Sequence, residues 1–241
     1  MSVARKLCKL LGKKPEFCSA VLVAAGSSSR MRGEDKLLSD LGGMSVLERS
    51  AMALEKNERI MEIIVVTRAD RMEELSQILH RQNLTKLTLL VPGGDTRQDS
   101  VEAGLRAVSK KATLVAIHDA ARPLVSQKVI TQTISMAAKT RAAAPAIPVK
   151  DTIKVAKERI IVDTPDRSTL FAVQTPQIFD YDLIRGALKK AKQAGISLTD
   201  DCSAAEYMGL KVALTEGEEE NLKITTPIDL RIARMLLEEI K

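Results

Sequence analysis

The 241-residue chain is 45% hydrophobic and 28% charged, enough apolar surface for a domain-sized core and too much for a disordered polypeptide. Its 37 Lys and Arg outnumber 31 Asp and Glu, giving a formal charge of +6, a balance that favours anionic partners. Two Tyr, three Phe and no Trp leave few stacking platforms for single-stranded nucleic acid, so nucleic acid is set aside and a small phosphorylated ligand is expected.

Residues 1–18 read as an N-terminal extension. Val3, Leu7, Leu10 and Leu11 share one helical face while Arg5, Lys6, Lys9, Lys13 and Lys14 lie largely elsewhere; a helix packed on the core, or a frayed end, is preferred to a membrane-surface helix. Basic residues are scattered through this segment, so it is not a secretory signal. The longest uncharged apolar stretch, Ala142 to Val149, contains two prolines and falls far below the ~20 residues of a membrane span. Cys8, Cys18 and Cys202 include no CxxC pair, and His80 and His118 are the only histidines, which argues against a disulfide framework and a structural zinc site. No membrane partner and a reducing cytoplasm are the expectations.

From Ser19 onward, short apolar runs alternate with helical periods. Strands are expected at Ala20–Ala24, Glu62–Thr67, Leu87–Val91, Leu114–Ile117 and Ala142–Ile147. Helices are expected near Ser45–Lys56, Arg71–Arg81, Arg97–Val108 and Gln127–Lys139. Each is long enough for a right-handed crossover, which predicts an α/β fold with a doubly wound, Rossmann-like, mostly parallel sheet. After Pro148 the rhythm breaks. Two short β segments around Lys157–Arg159 and a third near Leu170–Val173 predict a protruding β-arm at about 148–173. Helices near Tyr181–Ala194 and Asp200–Met208, a strand at Lys211–Thr215 and a last helix opening at Thr226-Pro227 complete the single domain, residues 19–241. For that last helix Thr226 is expected as N-cap, with Ile228, Ile232, Met235, Leu236 and Ile240 as its apolar stripe.

The first strand runs into Gly26-Ser-Ser-Ser-Arg30, with Arg32 and Lys36 following. Small side chains, many backbone N–H groups and nearby cations suit an anion at the carboxyl edge of an open sheet. The spacing matches neither GxGxxG nor GxxxxGK[ST], and an ordinary polar loop is the alternative. The fourth strand ends at Asp119, which either holds a Mg²⁺ against phosphate oxygens or simply pairs with Arg122. His118 points to the opposite face of that strand and reads as a core histidine. Gly93-Gly94 with Asp95 and Ser100 either reads a base or only makes a turn. Lys223 sits in a β-type run before a helix N-cap.

Seven segments in order, AAGSSSRM with Lys36, GGDTRQDS, HDAARP, PVKDTIK, TPDRSTLFAVQTPQIF, TDDCSAAE and GEEENLKITTPIDL, resemble the 2-C-methyl-D-erythritol 4-phosphate cytidylyltransferase family of the non-mevalonate isoprenoid pathway. The resemblance runs from about Ser19 to the C-terminus. Departures from the family pattern fall at Val23 or Ala24, at Ser28, and at Asp35, which stands beside Lys36 where the family often has Pro. The resemblance implies transfer of a cytidylyl group from CTP to 2-C-methyl-D-erythritol 4-phosphate with release of pyrophosphate. It assigns catalysis to Arg30, Lys36 and Lys223, nucleotide binding to Ala24, Ala25, Gly26, Gly94, Asp95 and Ser100, substrate binding to Thr152, Arg167 and Thr175, and Mg²⁺ or another divalent cation to Asp119. It also implies a homodimer joined through the arm, and no cyclodiphosphate synthase domain of the kind fused to some relatives is expected. The alternatives are a related ribitol 5-phosphate cytidylyltransferase and a catalytically silent binding protein on the same fold.

Overall fold

A computed structural model describes residues 16–26 and 35–239. Residues 1–15, together with Ser28, Arg30, Arg32 and Ile240, lie outside the described residues. The fold starts ahead of Ser19, because Cys18 opens strand β1 (Cys18–Val23) and the Phe17 amide donates to Thr113 Oγ1 at 3.0 Å.

Strands β2 (Ile60–Thr67), β3 (Leu87–Pro92), β4 (Leu114–Asp119) and β5 (Ala142–Pro148) follow in alternation with helices α1 (Val46–Glu55), α2 (Met72–His80), α3 (Arg97–Ala107) and α4 (Gln127–Thr140). Past residue 163 come β8 (Phe171–Val173), β9 (Gln177–Asp180), α5 (Tyr181–Gln193), α6 (Asp201–Tyr207), β10 (Ala213–Glu216) and α7 (Pro227–Glu239); β8, expected as the third segment of the arm, instead pairs antiparallel with β5 in the main sheet. The main sheet has the order β10-β5-β9-β4-β1-β2-β3, with β8 paired to β5. β1 runs parallel to β2 and β4, β2 to β3, and β5 to β10, whereas β9 is antiparallel to both β4 and β5. The doubly wound sheet therefore forms as expected, with one addition. QTPQIF, read as a ligand motif, also supplies β9, a buried strand too short to show a period.

Two apolar layers explain why β1, β2 and β4 were legible. Ala20 and Leu22 of β1 face a core built with Leu47, Leu75, Ile134 and Ala233, while Val21 faces Val101, Leu105, Leu188 and Ala205 on the other side. A strand covered on both faces must be apolar throughout. Ser45 starts α1 with a capping box, its Oγ accepting from Glu48 N at 3.2 Å while its own N–H donates to Glu48 Oε2 at 2.7 Å.

The last helix opens where expected but buries a different face. Thr226 stands at the N-cap ahead of Pro227, its carbonyl accepting from Leu230 N at 3.4 Å; its Oγ1 is buried without a partner, and Asp229 Oδ2 instead accepts from the backbone of Thr225 at 2.8 Å and Thr226 at 2.7 Å. Leu230 and Ala233 form the buried face, with Leu237 packed beside them, leaving Ile228, Ile232 and Met235 exposed. Residues 217–226, which hold Lys223, contain no strand.

Strands β6 (Val155–Lys157) and β7 (Ile160–Asp163) make a separate two-stranded hairpin. Glu158 and Arg159 both have positive φ, 48° and 66°, as a type I′ turn requires. Ile160, Ile161 and Val162 are 68%, 60% and 52% exposed, so this hairpin stands away from its own core. Among the described residues, no helix is long and apolar enough to cross a membrane.

Candidate active site

A cavity of about 290 Å³ opens at the carboxyl ends of β1, β3 and β4. Val23, Ala24, Ala25 and Gly26 leave β1 along one wall, Gly94 to Arg97 and Ser100 form another, and Asp119, Lys36 and Lys223 close it. Val23 stands in register with Asp119 across the β1–β4 pair. From β1 the chain order runs outward to β2 and β3 on one side and to β4 on the other, and such a reversal point is where open α/β sheets hold ligands. Larger cavities, of about 420 Å³ between α3 and α5 and about 590 Å³ near Arg59 and Asp180, are lined by none of these residues.

Asp119 is buried between two cations. Lys223 Nζ lies 2.8 Å from Oδ2 and Arg97 Nη2 lies 3.6 Å from Oδ1. Burial alone would raise the carboxyl pKa, but Lys223 and Arg97 outweigh it and lower the value to about 2. A full negative charge is therefore fixed in the cavity wall at neutral pH. Arg122, the alternative partner, instead donates from Nη1 to the Asn221 carbonyl at 2.6 Å.

His118 lies on the other face, as expected. Burial pushes its pKa down to about 4, so its ring is neutral. Nε2 lies 3.2 Å from the Arg122 carbonyl, which can only accept, so Nε2 carries the proton and Nδ1 accepts from Thr175 Oγ1 at 3.0 Å. Thr175 Oγ1 in turn accepts the Asp119 N–H at 3.0 Å. This corrects the reading of Thr175 as a substrate contact: its side chain is buried, its hydroxyl is committed inward, and it supports Asp119 from behind.

The segment before α3 is shaped by Ser100, whose buried Oγ accepts from Gly94 N at 3.2 Å and donates to the Thr96 carbonyl at 3.0 Å. A Cβ on Gly94 would lie 2.4 Å from Asp99 Cβ, so only glycine fits there. Asp95 is exposed at the rim. Asp35, the departure beside Lys36, has its carboxylate committed to Arg71 and to the Leu37 amide at 2.9 Å. Arg30 lies outside the described residues. Thr152 and Arg167 are exposed on the arm and do not line this cavity; Arg167 Nη1 donates to the Lys150 carbonyl at 2.7 Å.

Two residues gain roles that the sequence reading did not give them. Arg97 Nη2 meets the buried Asp201 Oδ2 at 2.6 Å. Burial opposes the guanidinium charge, but Asp201 outweighs it and holds the Arg97 pKa above its ordinary value. Gln177 Oε1 accepts from Asp201 N and Cys202 N, each at 3.0 Å, and so fixes the start of α6 behind this pair. Both charges sit inside quoted motifs, GGDTRQDS and TDDCSAAE, but a pairing across 104 residues leaves no local signal.

Among the described residues, no group of three or more His, Cys, Asp or Glu side chains is placed to hold a metal ion. One ionised carboxylate nevertheless suits Mg²⁺, which keeps several waters and binds through one or two carboxylates plus substrate phosphates.

The family model described as IspD, 2-C-methyl-D-erythritol 4-phosphate cytidylyltransferase, matches residues 18–239. Curated relatives described as 2-C-methyl-D-erythritol 4-phosphate cytidylyltransferase include one from Caldanaerobacter subterraneus, 46% identical over 91% of this chain and 98% of the relative. Another, from Halalkalibacterium halodurans, is 41% identical over 92% of this chain and 97% of the relative. The solved 4-diphosphocytidyl-2C-methyl-D-erythritol synthase of Anaerococcus prevotii superposes with a TM-score of 0.83 at 34% identity, covering 92% of this chain and 96% of that one. The Thermus thermophilus 2-C-methyl-D-erythritol 4-phosphate cytidylyltransferase gives a TM-score of 0.77 at 31% identity, over 92% and 99%.

Proposed function

The chain belongs to the 2-C-methyl-D-erythritol 4-phosphate cytidylyltransferase family, and from that premise we propose how its own residues divide the work. The activity is nucleotidyl transfer: a cytidylyl group passes from CTP to 2-C-methyl-D-erythritol 4-phosphate in isoprenoid synthesis, and pyrophosphate leaves. The matches favour this acceptor over ribitol 5-phosphate.

In the reaction, a phosphate oxygen of the acceptor attacks the α-phosphorus of CTP. A new P–O bond forms there as the bond to the β-phosphate bridging oxygen breaks, and its electron pair departs on pyrophosphate. No covalent enzyme intermediate is needed. Catalysis then rests on aligning two polyanions and neutralising charge on the five-coordinate phosphorus. Arg30 and Lys36 hold the triphosphate, and Lys223 stabilises the transition state. Ala24, Ala25, Gly26, Gly94, Asp95 and Ser100 surround the nucleotide, with Ser100 acting through the backbone it organises. Asp119 would hold Mg²⁺, which when bound supplies positive charge to the phosphate oxygens. Arg97, fixed by Asp201, keeps Asp119 ionised and aimed.

Thr152 and Arg167 take the sugar phosphate from the arm of a second copy, so the working unit is a homodimer. Support comes from the exposed apolar hairpin residues and from the absence of both side chains from the lining of their own chain's cavity. A reducing cytoplasm is the proposed location, in keeping with the free thiols of Cys18 and Cys202.

The observation that carries this reading is the convergence of Lys36, Asp119 and Lys223 in one cavity beside the Gly94–Ser100 wall. Acceptors in that wall suit the cytosine amine, and UTP would leave them unpaired. Pyrophosphate release should favour CTP over UTP and stop in EDTA, resuming with Mg²⁺. Equal turnover of both nucleotides, or full activity in EDTA, contradicts it.

A further inference from the structure

Lys223 projects from the irregular segment between β10 and α7, and nothing in a loop by itself fixes a lysine ammonium against a phosphorus. Here the loop is held at two completely buried residues flanking it, Asn221 and Ile224. The Ile224 amide donates to the Ala121 carbonyl at 2.8 Å, just past the end of β4. Asn221 is held more elaborately. Its Nδ2 donates to Gln174 Oε1 at 3.1 Å and to the Thr175 carbonyl at 3.0 Å, and its own carbonyl accepts from Arg122.

Gln174 is equally committed. Its Nε2 donates to the Glu218 carbonyl at 2.7 Å while Oε1 accepts from Glu218 N at 3.3 Å. One side-chain amide therefore pairs with this loop as a neighbouring strand would. Gly217 makes room for it, since a Cβ there would sit 2.7 Å from Gln174 Oε1 and 3.0 Å from the Ala146 carbonyl. Gln174 directly follows β8, the strand by which the chain rejoins the sheet, and its backbone N–H donates to the Pro145 carbonyl at 2.7 Å. A second tie runs the same way: Lys150, whose carbonyl carries Arg167, pairs with Glu219.

We propose that Asn221 is a positioning residue for Lys223, and that Gln174 is the strut through which the base of the arm holds it. The clasp rests on the transition-state role assigned above to Lys223. Its two buried amides touch no ligand; they set where the Lys223 backbone stands, and they link the segment that presents Arg167 to the segment that presents Lys223. Displacement of the clasp therefore costs turnover and leaves nucleotide affinity nearly intact.

The test compares kcat and KM for the full-length enzyme, normalised to folded protein, in two backgrounds. In the wild-type background Asn221→Ala should lower kcat ~10-fold or more and change KM for CTP by less than about twofold. In a Lys223→Ala background the same change should lower kcat by no more than about twofold, because the lysine it positions is gone. A residue with a merely structural role would give equal losses in both. Gln174→Met, which keeps volume and removes the amide, should repeat the pattern, and it takes the place of Asn221→Ala if that chain does not fold. Wild-type kcat in Asn221→Ala, or equal losses in the two backgrounds, overturns the clasp alone. Wild-type kinetics in Lys223→Ala overturns the transition-state role on which it rests.

Discussion

Among 37 Lys and Arg, only those that converge on the cavity should matter to chemistry. Lys36→Ala and Lys223→Ala should each lower kcat/KM by ~10²-fold or more, the usual loss for one preorganised donor to a transition-state oxyanion. Lys189→Ala, exposed on α5, should leave steady-state kinetics unchanged, and matching losses at all three lysines would show that bulk charge is at work. His118 makes a prediction about stability. Its pKa falls from 6.5 unfolded to about 4 folded, so between those values the unfolded chain binds a proton that the folded chain does not. Stability therefore rises with pH in that window. This one group should remove about 2 kcal/mol of unfolding free energy between about pH 7.5 and about pH 5. An imidazole NMR titration of His118 in the folded protein checks it, and a midpoint near the unfolded value would contradict it. His118 was legible because strand alternation fixed its face. Thr175 was not, because its motif also looks like a ligand contact and only the fold shows its hydroxyl spent on His118 and Asp119.

At the scale of elements, legibility followed burial. β1, β2 and β4 are covered on both faces and read directly from their apolar runs, whereas β9 spans four residues and left no pattern. α7 misled because it carries two apolar stripes, and sequence alone does not say which one meets the core; the structure buries Leu230 and Ala233 and leaves Ile228, Ile232 and Met235 exposed. The break in rhythm after Pro148 coincides with the separate, exposed β6–β7 hairpin, and that exposure gives a sharp test. Chains carrying Lys36→Ala and chains carrying Arg167→Ala, each inactive alone, are mixed and allowed to exchange. If Arg167 serves the partner's site, a mixed dimer has one site bearing both defects and one bearing neither. About a quarter of full activity should then return when exchange is statistical. No recovery would mean that Arg167 acts within its own chain, and the arm-exchange model would fall.

For the whole molecule, the net charge of +6 pointed toward anions without choosing one. The choice comes from how the sheet brings distant segments together: the parallel strands β1, β3 and β4 all end at one edge of the sheet, and the loop after β10 returns Lys223 to the same edge. Spacing along the chain carries none of that convergence, whereas the ordered motifs carried it through family resemblance. The activity itself is the central claim, and ³¹P NMR of the enzyme with CTP, Mg²⁺ and one phosphopolyol at a time tests it most directly. With 2-C-methyl-D-erythritol 4-phosphate, CTP should be consumed as pyrophosphate and a diphosphate-linked cytidylyl polyol appear in equal amounts, and ribitol 5-phosphate should turn over far more slowly. Turnover confined to ribitol 5-phosphate, or pyrophosphate released with no cytidylyl polyol formed, would contradict the account.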